Sequence, residues 1–586
     1  MSGADSRREP VRIANVSGFY GDDLNAMKTM LAGEPVDFIT GDYLAELTML
    51  ILAKDKMRDP QGGYARTFLK QVADVAPQLK ETGTKVVANA GGLNPAGLAQ
   101  GLQETFAEQN IDVTVGYVDG DDLTDRAEEL GFDDPVAANA YLGAFGIVEC
   151  LRSGADVVIT GRVTDASVIV GPAAYHFDWG RQDFDELAGA VAAGHVIECG
   201  AQATGGNYPF FNAGEITDFI DLGFPIAEIH ADGSSVITKQ PGTGGAVTTG
   251  TVTAQLLYEV TGARYGNPDV TLRLDHVEVE QVGPDRVALR GAKGEPPPPT
   301  TKVSVNRIGG YRTEWRMYLT GLNVEEKARM FQQQLNCTPK QPEQVDFRLE
   351  RTDHPDADTQ AAATASLVCV GWDRDAKVLD TWARSAIGIV LGSYPGAFPD
   401  GPPPRASTYG IYTPEYVAND VPVHTAHLRD GTAQVITPPE VTQPMGSDHT
   451  DLPLPTPPEP EPTTRLPLGA IVGARSGDKG GNANIGLWVE DPAAYSWLVH
   501  TMTPAMVQEL LPEAANHKVE VFALPRLNAV NILIHGLLGH GVAHGARFDP
   551  QAKGLGEWIR SRHLDIPDSL LHSTYPLTEA TTKELR

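Results

Sequence analysis

Three pairs of ionisable residues in the first third of the chain have spacings suited to moving protons. Asp42 and Glu46 stand four residues apart, which on a helix puts both carboxylates on one face near its N-terminus, where the dipole favours anions. Such a pair serves proton transfer, and equally a helix cap with a solvated face. Arg162 and Asp165 share a turn after an apolar run, so that the guanidinium can bind a carboxylate or thioester carbonyl while Asp165 acts as acid or base. A salt bridge that merely closes the turn fits the same residues. His195 and Glu198 form a third acid/base pair, for which a core histidine with a satisfied hydrogen bond is the alternative.

Glycine-rich runs stand beside these pairs. Gly91, Gly92 and Asn94 follow one apolar run, and Gly205, Gly206 and Asn207 follow another; both are candidate substrate or oxyanion contacts, although turn geometry alone also calls for such residues. In Lys239-Gln240-Pro241-Gly242-Thr243-Gly244-Gly245, backbone N–H groups can cradle the diphosphate of CoA next to Lys239. It is not a Walker motif, since no Lys-Ser or Lys-Thr follows, and Val247 stands where a dinucleotide fingerprint needs its third glycine. The densest polar run, Ala474 to Ile485, reads as a turn exposing backbone donors beside Arg475, Asp478, Lys479 and Asn482, suited to an anionic ligand or an interface. His535, His540 and His544 invite a metal, but Gly536, Gly539 and Gly541 argue against one rigid helix presenting them, and no metal is expected.

Positioning these groups requires strand ends that meet. The runs Val11 to Val16, Val36 to Thr40, Lys85 to Ala88, Ile111 to Val118 and Asp156 to Ile159 alternate with helix-like segments, the pattern of parallel βα units. Loops beyond the carboxyl ends of parallel strands gather on one edge, so Tyr20, Asp42, Asn94 and Arg162 are expected in a common cleft. From Val270 to about Val435 the pattern turns mixed, and Pro296 to Pro299 mark an extended loop. Ten prolines between Pro438 and Pro467 then read as a semi-extended linker. Beyond it lies a small globular portion with strand-like Leu468 to Val472, Ala483 to Val489, Lys518 to Leu524 and Ala529 to Ile534, and helix-like Ala493 to Leu511 and Gly554 to His563. The expected architecture is α/β: a large, mainly parallel core over 1–437, a Pro-rich linker over 438–467 and a small C-terminal domain over 468–586.

Composition narrows the function further. Among 586 residues, 76 acidic against 46 basic side chains give a formal net charge of -30, which disfavours long-range attraction to nucleic acid or anionic lipid. Cys150, Cys199, Cys337 and Cys369 show no paired spacing, so neither a disulfide framework nor a structural zinc site is expected. With no apolar leader and no membrane-length apolar run, a cytoplasmic location is the expectation.

The runs Arg12 to Asp22, Asp37 to Met49 and Gly161 to Ala166 resemble the core of the acyclic terpene utilisation protein A family. Ala474 to Ile485 and Leu524 to Ala529 resemble the small ferredoxin-like domain that follows that core. The resemblance implies a role beside geranyl-CoA and citronellyl-CoA catabolism or related branched acyl-CoA pathways, with a CoA thioester as substrate rather than a resident cofactor. The leading expectation is hydration, dehydration or carbon–carbon cleavage of an acyl-CoA, carried by Asp42, Arg162 and Asp165. Substrate contacts are expected from Tyr20, Gly91, Gly92, Asn94, Gly205, Gly206, Asn207, Lys239, Gly242, Gly244 and Gly245. A non-catalytic subunit that binds an acyl-CoA carboxylase or lyase partner is the alternative, and a nucleotide-dependent enzyme the third; a homo-oligomer fits any of them.

Overall fold

The computed structural model describes residues 9–214, 216–539 and 541–572, except for the side chains of 46, 47 and 572. Its largest element among these residues is a sheet of eleven strands. From edge to edge they are Glu278–Gly283, Arg286–Arg290, Ser235–Lys239, Pro225–Ile229, Val11–Asn15, Phe38–Gly41, Lys85–Ala88, Val157–Thr160, Val115–Asp119, Thr425–His427 and Ala433–Val435. The five strands from Val11–Asn15 to Val115–Asp119 pair in parallel. Both flanks are antiparallel. The mainly parallel core is thus corrected to a mixed sheet with a parallel centre.

The parallel centre is apolar on both faces because both are covered. Val11, Ile13, Phe38, Val87 and Val158 join one hydrophobic cluster, while Ala14, Ile39, Val86, Ala88, Val157 and Ile159 join another. Alternate residues along a strand point to opposite faces, so a strand between two layers reads as a continuous apolar run. On the second face the helix Arg66–Thr82 buries Phe68, Val72, Val75, Ala76 and Leu79, spaced by three or four residues. On the first, the helix Phe184–Ile197 has every residue from Leu187 to Ile197 buried, as befits a helix packed on all sides.

Residues 473–488 form a hairpin of Gly473–Lys479 and Asn482–Trp488 turned at Gly480–Gly481. Ala529–Ile534 and Val519–Leu524 extend it into a four-stranded antiparallel sheet. Expectation and structure coincide at Ala529 to Ile534, but Leu468 to Val472 is opened by a 3-10 turn, and the expected single helix is two, Pro492–Thr501 and Pro504–Leu510. Pro504 begins the second helix, where its missing N–H is harmless. The proline-rich stretch is strapped to its surroundings: the Thr450 hydroxyl donates to Asp275 at 2.6 Å and the Ala263 N–H to the Asp448 carbonyl at 2.8 Å.

By density of contacts the chain divides into two compact units, one of which is Arg307–Ile411 with Ala543–Pro550. In that unit the helices Val324–Asn336 and Ala376–Ile389 cover an antiparallel sheet, with Trp315, Trp382 and Phe331 in its core. The buried polar side chains at the parallel strand ends lie in the other unit.

Close packing around the Phe184–Ile197 helix has a measurable consequence. A Cβ added at Gly189 would stand 2.0 Å from the Gly233 carbonyl oxygen, a backbone atom with little room to yield. Gly189→Ala should therefore lower stability by about 1–3 kcal/mol in urea unfolding despite alanine's better helix propensity; an unchanged or raised midpoint would contradict this packing.

Candidate functional site

The carboxyl ends of the five parallel strands carry buried polar side chains: Asn15, Asp42, Asn89, Asp121 and Arg162. Asn15 has the role of a clamp. Its Nδ2 donates to the carbonyls of Ser17 at 2.9 Å and of Ile197 and Glu198 at 2.8 Å, tying the end of the Phe184–Ile197 helix to the end of the first strand. The acid/base pair His195–Glu198 is thereby carried to the strand ends.

Arg162 is 3% exposed. Its backbone N–H donates to Asp121 Oδ2 at 2.9 Å and its Nη1 to the Leu44 carbonyl at 2.6 Å, while Nη2 lies 3.0 Å from Asp165 Oδ1. The guanidinium rests 4.1 Å from the centre of the Tyr141 ring. Burial works against its charge, but Asp165, Tyr141 and Asp42 outweigh that and hold its pKa above the ordinary value. Asp42 accepts from Asn89 Nδ2 at 2.6 Å; burial first and Asp165 second push its carboxyl well above the usual range, against Arg162 and Asn89.

His195 Nδ1 and Glu198 Oε1 share a hydrogen bond of 3.0 Å, with both side chains buried. Burial and then Lys479 depress His195 to about 4. Burial, Asp165 and Glu259 raise Glu198 well above the carboxylate range. Near neutral pH His195 is consequently uncharged, and the surroundings of Glu198 favour its protonated form. Among the described residues, Arg162 Nε, His195 Nε2 and Glu198 Oε2 are buried without a hydrogen-bond partner, beside the Arg162–Asp165 ion pair. Three unsatisfied polar atoms on neighbouring residues would be costly in a purely structural cluster, and they are the groups with which a ligand would pair.

The hairpin brings further charge to the cluster. Arg475 is buried, lies 4.3 Å from the Tyr258 ring centre and donates to Gln202; Lys479 lies 5.6 Å from that of Tyr265, whose ring stands 5.0 Å from His195. Lys553 reaches Glu259 at 3.3 Å and Asp478 at 3.6 Å. Burial would raise Glu259, but Lys553 and Lys479 outweigh it and hold it below the carboxylate range.

Of the residues expected from sequence, Asp42, Arg162 and Asp165 are brought together, with Arg475 and Lys479 within electrostatic reach of the same cluster. Tyr20 is half-buried and packs against the Leu44 cluster. The Glu46 side chain lies outside the described residues.

The glycine loops are differently employed. Asn94 caps the Pro95–Glu108 helix, accepting from the Gly97 N–H at 2.9 Å, while the N–H groups of Gly91 and Gly92 bond the Thr160 and Asn89 carbonyls. Gly205 and Gly206 donate to Gln202 and Ala201, and Asn207 is exposed. Around Lys239, Gly244 and Gly245 donate to the Asp221 and Asp218 carbonyls, and Gly242 closes the turn with a positive φ. Lys239 itself donates to the Thr243 carbonyl at 2.7 Å and pairs with Asp285 at 3.4 Å. A pocket of about 280 Å³ beside that loop is lined by Arg12, Glu228 and Arg286, already paired with one another.

Asp478 faces Lys553, and Asn482 accepts from the Gly536 N–H at 2.9 Å. His535 bonds Glu520 at 2.6 Å, His544 lies in the other compact unit, and His540 is outside the described residues. Among the described residues one trio, Asp275, His276 and Asp451, has metal-ligand spacing, but Arg273 already bridges its two carboxylates.

Sequence reasoning passed over Asn89, Asp121, Tyr141, Gln202, Glu259 and Tyr265. Asn89 had a signal, since it directly follows a β-branched strand; Glu259, in a turn, and Tyr265, in the short strand Arg264–Gly266, have nothing local that connects them to the strand ends.

Fold and cluster together define an α/β protein that gathers acid–base groups at the carboxyl edge of its parallel strands. Residues 11–428 match the family model described as acyclic terpene utilisation family protein AtuA, and residues 466–565 match that of the AtuA ferredoxin-like domain. The chain belongs to the AtuA family. Comparison with curated proteins and with solved structures returned no match. Among the described residues no helix is long and apolar enough to cross a membrane.

Asp121 offers a test of the electrostatics. Burial pushes its carboxyl up to about 7, against hydrogen bonds from the Arg162 N–H and Asn139. The folded protein therefore holds this proton where the unfolded chain has lost it, so its contribution to stability falls as pH rises from about 4 to about 7. Asp121→Asn should gain on the wild type through that window, at up to about 1.4 kcal/mol per pH unit, and level off above it. Parallel stability–pH curves for the two proteins would contradict the assignment.

Proposed function

We propose that the protein catalyses proton transfer on a branched acyl-CoA thioester in acyclic terpene utilisation, by hydration, dehydration or carbon–carbon cleavage. The observation that carries this reading is the buried set of unpartnered atoms on Arg162, His195 and Glu198 beside the Arg162–Asp165 ion pair. Each of the three reactions needs one group to give a proton, another to accept one, and a donor for the charge that develops on the thioester oxygen.

The residues divide those tasks by their surroundings. Glu198, kept protonated by burial, is the acid, with neutral His195 on its other oxygen to orient it and return the proton. Asp165, beside the permanent charge of Arg162, accepts the proton from carbon or water. Arg162 Nε faces the developing oxyanion, and Asp42, also held protonated, is a second donor. The low dielectric that raises the two carboxyls strengthens each of these contacts.

The test is solvent exchange. Purified protein incubated in deuterium oxide with a short branched 3-hydroxyacyl-CoA, or with the matching enoyl-CoA, should convert the thioester and place deuterium at its α-carbon, as read by mass spectrometry. Glu198→Gln should slow this by about 10²-fold or more with the circular dichroism spectrum intact. No conversion or exchange by the wild type, or equal rates in the variant, would refute the assignment.

A further inference from the structure

We infer that Arg475 and Lys479 form a subsite for an anionic oxygen group, a carboxylate or a phosphate, carried by the ligand. The inference deepens the acid–base reading and rests on it for the role of the subsite, but the existence of the subsite is measured by binding alone.

The two cations are set by the hairpin. Residues two apart in a strand share a face, so Arg475, Gly477 and Lys479 point the same way. That face lies against Tyr258: a Cβ at Gly477 would stand 2.5 Å from the Tyr258 ring, which is why the strand can approach closely enough for Arg475 to stack on the ring and Lys479 to reach Tyr265. Arg475 is only 5% exposed, and its Nε has no hydrogen-bond partner among the described residues.

Charge pairing points the same way. Arg162 is matched by Asp165, and Lys553 by Glu259 and Asp478. Neither Arg475 nor Lys479 has a carboxylate within ion-pair distance among the described residues; Arg475 bonds the neutral side chain of Gln202 instead. A guanidinium removed from water with no counter-charge is unfavourable unless an anion arrives. A guanidinium presents its N–H groups in one plane, the arrangement that receives planar or tetrahedral oxyanions. Burial favours the protonated forms of Glu198 and Asp42, which lessens their repulsion of such an anion.

Calorimetric titration of the full-length protein with malonate and, separately, inorganic phosphate tests the subsite. Wild type should bind at least one of them at a single site, and Lys479→Gln and Arg475→Lys should each weaken it at least tenfold. Arg475→Lys keeps the charge but loses the planar fork, so its loss with an unchanged melting temperature separates binding from folding. Binding of malonate identifies a ligand carboxylate as the source, and binding of phosphate alone identifies a phosphate. If neither anion binds, or if both variants bind like wild type, the subsite is refuted. Arg475-dependent binding without thioester exchange would sink the acid–base reading and leave the subsite standing; exchange with wild-type KM in both variants would do the reverse.

Discussion

A buried guanidinium holds the strand ends in register. Arg162 bonds the Leu44 carbonyl beyond the second parallel strand, Asp121 beyond another through its own backbone N–H, Asp165 in its own turn and the Tyr141 ring. Taking a charge out of water costs several kcal/mol unless geometry and hydrogen bonds offset it, and here the Leu44 carbonyl, Asp165 and the Tyr141 ring supply them. The same cation sets the electrostatics of the cluster, since it is the positive charge against which Asp42, Asp165 and Glu198 are balanced. Crowding carboxyls in this buried cluster favours the protonated forms of Asp42 and Glu198.

The sequence-distant C-terminal residues are part of this arrangement and not an appendage. Asn484 in the hairpin accepts from the Glu259 N–H at 2.8 Å and donates to Asn531, which in turn donates to the carbonyls of Val260 and Thr261 at 2.9 and 2.6 Å. All of these groups are buried or nearly so, and a buried polar chain with its partners satisfied fixes one docking geometry where apolar contact would allow several. The Tyr258–Val260 segment is thereby pinned to the hairpin, with Arg475 over the Tyr258 ring. Lys479 of the same hairpin lies within electrostatic reach of His195, which couples the position of the hairpin to the acid–base pair.

Much of this was legible in the sequence where local chemistry determines structure. Val11 to Val16 and Lys85 to Ala88 announce strands because β-branched runs end in turn residues, and the topology of parallel strands then brings Asp42 and Arg162 to one edge. The antiparallel flanks were not legible, since the apolar pattern of Pro225–Ile229 or Ser235–Lys239 carries no strand direction. Ala474 to Lys479 read as a turn because glycine, aspartate and lysine are poor strand formers; neighbouring strands override that preference. The glycine loops attracted attention as anion cradles, yet their N–H groups are taken by nearby carbonyls, a matter of tertiary closure that spacing cannot show. The raised pKa of Glu198 belongs to the same class: it depends on burial, then on Asp165 and Glu259, which only the fold brings near.

The central claim is that carboxyl groups of this cluster stay protonated at neutral pH because they are buried among one another. Difference infrared spectroscopy addresses it most directly. Wild type minus Glu198→Gln at neutral pH should show the carbonyl stretch of a protonated carboxylic acid, and wild type minus Asp42→Asn should show a second. If each difference contains only the symmetric and antisymmetric bands of a carboxylate, the groups are ionised and the proposed division of acid and base fails.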